Sequence, residues 1–417
     1  MPETLNEMIP SPLAVTVRAS RPMPAGLPSC ALIDLNAVRS NISTLRRTAG
    51  DAGLMAVVKA DGYGHGMLPV ARAALDAGAS WLGVAQLGEA LELRAAGVTA
   101  PVLAWITVPG DRFAESVAAG IDLGVGAAWA LSEVESAVRG CGVPARVHLK
   151  VDTGLGRGGC LPSELPQLLA AALRLQAEGL LSVVGLFSHL ACADTPDHPS
   201  VAAQIGVFTD AVATAERAGA RLEVRHLANS AATVAVPQSR FDLVRPGLAV
   251  YGLSPLPHLS GSAELGLVPA MTLLGRVALV KDVPAGQGVS YGLTYSTDRD
   301  TTLALIPIGY GDGLPRHAGG TGPVLLGGHR VVVAGRVCMD QVVLDLGGRD
   351  PAVQAGDVAV LFGTGAGGEP TAQEWADAAG TISYEIVTRL GGRVPRIHTG
   401  TRAASGRQGL PGEEASR

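Results

Sequence analysis

Aromatic residues make up only 4 % of this 417-residue chain, so its core must rest on Ala, Val and Leu within a hydrophobic fraction of 47 %. No run of about 18 uninterrupted apolar residues occurs, and no membrane partner is expected. Basic residues are no more plentiful than acidic ones, 32 Lys and Arg against 37 Asp and Glu, for a net charge of −5. With no basic stripe either, nucleic acid is not expected as a partner. Cysteine is sparse and odd in number (Cys30, Cys141, Cys160, Cys192, Cys338) and lacks metal-type spacing. That pattern argues against a disulfide framework or a metal site and predicts buried thiols in a reducing cytoplasm. The opening MPETLNEMIPSPLAV has no charged region followed by a long apolar run, so no secretory signal is expected. Glycine is abundant, at 55 residues, but without the period of a fibrous repeat.

What the chain does have is alternation. From about residue 55 to 250 eight short apolar runs recur: MAVVK, WLGVA, PVLAWI, IDLGV, RVHLKV, SVVGLF, EVRHLA and DLVRP. Helical stretches such as QLGEALELRAAG and PSVAAQIGVFTDAVATAERAG separate most of them, the second closing on Gly219 as a helix stop. Eight strand–helix units predict an α/β fold with a (β/α)8 barrel. A doubly wound sheet is disfavoured because no GxGxxG opens a helix after the first strand. Beyond residue 266, Val- and Leu-rich runs cut by Gly-rich turns predict a mainly β domain, with one helix at TAQEWADAAG. The expected layout is an N-terminal extension at 1–28, a barrel at 29–266, a β domain at 267–402 and a disordered tail at 403–417, with the early strand CALIDLNAVRSNI assignable to either domain.

In a barrel of this kind the site lies at the C-terminal ends of the strands. Polar residues recur at those points: Lys59 in MAVVKADGYGHG, Lys150 and Arg157 in VHLKVDTGLGRGG, His189 in GLFSHLA, His226, Asn229 and Ser230 in RHLANSAA, and Arg245 in LVRPGLAVYG. Each has an ordinary explanation when taken alone. A strand-end lysine usually snorkels, a lone histidine is usually a satisfied structural group, and Asn or Ser before a helix is usually a cap. Together they suggest a site. Asn229 and Ser230 at a helix start, with Gly247 nearby, suggest a phosphate pocket. Opposite stands a lysine able to condense with an aldehyde. A cofactor that carries both groups is pyridoxal 5′-phosphate.

These segments resemble the alanine racemase family, barrel-type pyridoxal-phosphate enzymes. AVVKADGYGHG, VHLKVDTGLGRGG, HLANSAA, VRPGLAVYGLSP, VSYGLTY, IGYGDGLPR, GRVCMDQ and SYEIVTRLGGRVPR run in the family's order over roughly residues 30 to 400. The resemblance implies a homodimer with shared active sites that interconverts L- and D-alanine for peptidoglycan by a two-base mechanism. Lys59 would hold the cofactor and act as one base; Tyr291, from the second subunit, would be the other. Tyr63, Ser230, Gly247 and Tyr384 would hold the phosphate, with Asn229 and His226 close by. Arg245 would face the pyridine nitrogen and His189 would lie beside the ring. Arg157 would orient the cofactor's phenolic oxygen and the substrate carboxylate, supported by Lys150, as a carbamate in many members. Tyr310 and Met339 would line the substrate side from the partner. His189 and Arg245 are expected to supply part of the positive field that a tyrosine base needs. Leu155, Gly159 and Gly311 depart modestly from the family's usual residues. Three other readings share parts of the pattern. A pyridoxal-phosphate carrier would lack the β domain, and a barrel-type decarboxylase would pair the pyridine nitrogen with an acid. A racemase of larger amino acids would want a roomier entrance than Tyr310 leaves.

Overall fold

The computed structural model describes residues 23–350 and 352–400. Its described residues divide into two units: one holds residues 31–271, 383–390 and 396–400, the other residues 23–30, 272–382 and 391–395.

The first unit is the expected barrel. Its strands are preceded by β1 (Ser29–Asp34) and run β2 (Gly53–Val57), β3 (Trp81–Gln86), β4 (Val102–Ile106), β5 (Asp122–Val125), β6 (Ala145–Lys150), β7 (Leu181–Phe187), β8 (Val224–His226) and β9 (Leu243–Val244). Neighbours pair in parallel in the order β8-β7-β6-β5-β4-β3-β2-β9. Across the β8–β9 gap the N–H of Asp242 donates to the carbonyl of Arg225, and that of Arg245 to Ala228, which nearly closes the ring. All eight apolar runs are therefore strands. CALIDLNAVRSNI divides into β1 and the helix Leu35–Ala49, and β1 pairs in parallel with β19 (Arg396–Thr399) outside the ring.

Inside the ring, bulk alternates with glycine. A Cβ at Gly83 would meet Trp105 at 2.7 Å, and one at Gly124 would meet the same residue at 2.9 Å. Towards one end the interior is apolar, with Met55, Trp81, Leu103 and Leu243 in mutual contact. Elsewhere the barrel buries polar groups, His148, His226 and Asp122, where branched apolar residues are the usual filling.

The second unit is mainly β. Strand β10 (Met271–Arg276) pairs antiparallel with β18 (Val358–Phe362), which continues through β15 (Pro323–Leu326) to β16 (His329–Val332). A second sheet joins β11 (Leu279–Val283), β14 (Thr301–Ile306) and β17 (Val342–Asp345), and β12 (Gly288–Val289) forms a hairpin with β13 (Tyr295–Ser296). Its helix Ala372–Ala379 starts at Thr371 with a capping box to Glu374. No helix among the described residues is long and apolar enough to cross a membrane.

Candidate active site

Lys59 does not end its strand; it stands two residues beyond β2 and opens a left-handed turn. Ala60, Asp61, Gly62 and Tyr63 all have φ between 51° and 59°, three of them without a glycine's freedom. Such a conformation costs about 1–2 kcal/mol per non-glycine residue. Surrounding contacts hold it in place. The N–H of Ala60 donates to Glu89 Oε1 at 2.6 Å, the N–H of Gly62 to the carbonyl of Val58, and that of Met67 to Asp61 Oδ1. Tyr63 is driven inward, its ring 4.8 Å from that of Tyr251 and 6.2 Å from that of Tyr384.

The turn opens onto a cavity of about 240 Å³, whose wall includes Lys59, Tyr63, Lys150, Arg157, His189, Asn229, Ser230, Arg245, Gly247 and Tyr384. The barrel-side residues expected from the sequence thus converge, with the exception of His226, which lies behind Arg245. Phe187, Ser188 and Trp105 also line the wall. Among the described residues no acidic one does, although the cavity gathers two lysines and two arginines. Burial, and then Arg157, lower the pKa of Lys59 below the usual lysine value. Burial, Arg157 and Arg245 bring Lys150 down to about 8.

At one end the groups are neutral donors. Asn229 caps the helix Ser230–Ala235 by accepting from the N–H of Ala232. The hydroxyl of Ser230 accepts from the N–H of Gly247 at 2.8 Å and from that of Ala249 at 3.3 Å, which leaves its own hydrogen to donate. Gly247 therefore contributes space rather than its N–H: a Cβ there would lie 2.2 Å from the Tyr63 hydroxyl. Burial raises Tyr63, and raises Tyr384 to about 12, so both phenols keep their protons. At the other end Arg245 donates to the carbonyls of Ser188 at 2.6 Å and Leu227 at 3.2 Å and to His226 at 3.0 Å. Hydroxyl donors at one end, a buried guanidinium at the other and an amine with a lowered pKa fit a group that carries a phosphate, a ring nitrogen and an aldehyde.

His189 corrects the sequence reading. Burial, then Arg245, Arg157 and the two lysines, push it down to about 3. It is neutral at working pH and supplies no positive field. Glu89 was missed, yet it ties the lysine turn to the end of β3 by also accepting from the N–H groups of Ala85 and Gln86. The Gln-x-x-Glu opening of its helix was the available signal. Gln204 was missed too: its amide donates to Thr153 and to the carbonyl of His189, joining the two loops that carry Arg157 and His189.

Tyr291, Tyr310 and Met339 lie on the β unit and are 68 %, 39 % and 53 % exposed. They belong to one cluster. The hydroxyl of Ser290 donates to the carbonyl of Arg336 and stands 3.3 Å from Cys338 Sγ. The N–H of Tyr310 donates to the carbonyl of Cys338, and that of Gly311 to Met339. Ser290 has φ 63° and ψ −177°, a region nearly confined to glycine and worth about 1–3 kcal/mol of strain.

A barrel with this cavity fits the class of pyridoxal-phosphate enzymes, and comparison with known proteins gives the family. Residues 33–255 match the profile "Alanine racemase, N-terminal domain" and residues 270–398 match "Alanine racemase, C-terminal domain". Alanine racemase of Frankia casuarinae is 58 % identical over 379 residues, 91 % of this chain and 98 % of that one; the enzyme of Beutenbergia cavernae is 60 % identical over 377 residues, 90 % and 99 %. The solved alanine racemase of Streptomyces coelicolor A3(2) superposes with a TM-score of 0.89 at 56 % identity, covering 90 % of this chain and 99 % of its own. The chain belongs to the alanine racemase family, whose pyridoxal-phosphate-dependent reaction interconverts L- and D-alanine.

Proposed function

We propose that racemisation in this enzyme uses Lys59 on one face of the substrate and Tyr291 of a second subunit on the other. The observation that carries this reading is the cavity lined by Lys59, Lys150, Arg157 and Arg245 without a carboxylate, a place for a phosphate and a substrate carboxylate together. The chemistry that pyridoxal phosphate supplies when bound is electron withdrawal from the substrate Cα, which makes its hydrogen acidic.

The remaining tasks fall to the chain. Lys59, its pKa lowered by burial, can hold a free electron pair and take a proton at Nζ. Tyr63, Ser230 and Tyr384 donate to the phosphate, and Gly247 leaves room for Tyr63. Arg157 binds the substrate carboxylate. Lys150 can lose its charge near pH 8 and become a carbamate, turning a repulsion with Arg157 into a pair. Arg245 only donates, so it does not protonate the pyridine nitrogen. The field that assists Tyr291 comes from Arg245 and Arg157, not from His189. Tyr291 stands 68 % exposed beside the exposed Leu293, and this apolar patch supports burial against a second copy in a homodimer. The free state of all five cysteines suits a cytoplasmic setting.

Mixing two inactive variants, Lys59→Ala and Tyr291→Phe, tests the shared site. Subunit exchange should restore about a quarter of wild-type activity, since half the dimers would be mixed and each would hold one complete site. No recovery, with exchange verified by mass-tagged subunits, would overturn the reading.

A further inference from the structure

Behind the cavity a line of hydrogen bonds crosses the barrel interior. Arg245 Nη1 lies 3.0 Å from His226 Nδ1, and His226 Nε2 lies 2.9 Å from His148 Nδ1. His148 Nε2 lies 3.2 Å from Asp122 Oδ2. Asp122 Oδ1 accepts from Arg146 Nε at 3.0 Å, and Arg146 pairs at the surface with both carboxylate oxygens of Glu223. Both histidine side chains are fully buried and Asp122 is 2 % exposed. Among the described residues no carboxylate touches Arg245; the negative charge on this line reaches it only through two imidazoles.

The line has a single consistent proton order. A guanidinium only donates, so His226 Nδ1 must accept and its hydrogen must sit on Nε2. His148 Nδ1 must then accept in turn, which puts its hydrogen on Nε2, facing the Asp122 carboxylate. A second proton on either ring would set two donors face to face. Both rings are therefore neutral Nε2–H tautomers, oriented from the Asp122 end.

We propose that Asp122 and His148, neither of which lines the cavity, are positioning residues that fix the tautomer of His226 and so the placement of Arg245. The local fold is built to admit them. Strand β7 slips register opposite β6 between Val147 and His148, which sets Gly185 across from His148. A Cβ at Gly185 would lie 2.2 Å from His148 Nδ1, so only glycine leaves space for the ring. Such bulges re-aim side chains next to active sites. Phe187 stacks flat on His226, its ring centroid 4.9 Å away with the planes 2° apart, and holds that ring in the plane the line requires.

An asparagine at 122 would break the order. Its one oxygen cannot serve both Arg146 and His148. Turned so that its amide faces His148, it reverses both tautomers and leaves His226 Nδ1–H pointing at Arg245. Turned the other way, it sets two donors together at Arg146.

The inference concerns Arg245 as placed in the function proposed above, and the test separates the two. Side-chain 15N spectra of full-length protein labelled at histidine, recorded with and without pyridoxal phosphate, read the tautomers directly. Wild type should show His226 and His148 with the hydrogen on Nε2 and an accepting Nδ1 in both states, assigned by loss of each signal in His226→Gln and His148→Gln. Asp122→Asn should move at least one of them to Nδ1–H, lower kcat on alanine about 10–100-fold with KM changed less than threefold, and shift the absorbance maximum of the bound cofactor. Asp122→Glu should restore part of kcat. A wild-type His226 carrying its hydrogen on Nδ1 would overturn the proposal whether or not any variant folds. So would an Asp122→Asn enzyme with unchanged tautomers, kcat and absorbance. If instead the tautomers stand as derived but Arg245→Lys leaves kcat and absorbance unchanged, the relay holds and the role of Arg245 fails.

Discussion

The hydroxyl of Tyr63 occupies the place where a side chain on residue 247 would begin, 2.2 Å from an ideal Cβ. Gly247 has a negative φ of −109°, so a left-handed backbone is not what calls for glycine here. The demand is therefore the phenol's, and Gly247→Ala should push Tyr63 out of the phosphate end while the barrel still folds. Cofactor affinity should fall about tenfold or more. Adding Tyr63→Phe should recover part of the folded-state strain but not the affinity. Titration of cofactor-free protein followed by absorbance reads the first effect and thermal melts the second.

Gly64 plays a different part. A Cβ there would lie 2.3 Å from the carbonyl of Val387, in the helix Ser383–Thr388 that carries Tyr384, and its φ is +77°. Gly64→Ala meets both the clash and the left-handed penalty. A loss of about 2–4 kcal/mol in stability is expected, with Tyr384 displaced and cofactor binding weakened. Urea unfolding of the cofactor-free protein measures it.

Two histidines set an acid limit. Burial pushes His65 down to about 4 and His189 down to about 3, against an ordinary value near 6.5. Between those values and 6.5 the unfolded chain binds more protons than the folded one, so stability falls as pH drops. Each group can contribute a slope approaching 1.4 kcal/mol per pH unit in that window. Denaturant melts of cofactor-free enzyme from pH 7 to 4.5 should show the decline, and His65→Gln should reduce its slope. An unchanged slope would mean that His65 is protonated in the folded state.

Lys150 works in the opposite range. Its folded pKa, about 8, lies below the ordinary 10.5, so the cost of its buried charge is full below pH 8 and is relieved as pH rises from 8 to 10.5. Carbamate formation would relieve it earlier. Added bicarbonate at pH 8 should raise the melting temperature of cofactor-free wild type and leave Lys150→Met unmoved. Equal shifts in both would exclude a carbamate at this position.

The barrel was legible because its eight runs are apolar, short and regularly spaced, and because functional groups collect where such strands end. Other features depend on partners distant in sequence. Nothing local marks Ala60, Asp61 and Tyr63 as left-handed; Glu89, Tyr251 and the burial of Tyr63 impose that shape. The glycines of the segment, taken alone, suggest only a tight turn. Asp122, His148 and His226 belong to three strands, and alternation along RVHLK shows only that His148 and Lys150 share a face. The charge of His189 was misjudged because its burial among four cations is a property of the assembled cavity. The return of residues 383–390 and 396–399 to the barrel unit likewise has no composition signal, since Ser383–Thr388 reads as an ordinary short helix.

In the proposed mechanism two bases act, Lys59 from one side and Tyr291 from the other. Its most direct test is α-hydrogen exchange in deuterated buffer, with L-alanine and D-alanine supplied separately to wild type and Tyr291→Phe. Wild type should form the opposite isomer from either substrate, with deuterium entering at Cα. Tyr291→Phe should still exchange deuterium into one isomer without converting it, while exchange from the other isomer falls about 100-fold or more. Equal exchange and racemisation from both isomers in the Tyr291→Phe enzyme would rule out Tyr291 as the second base.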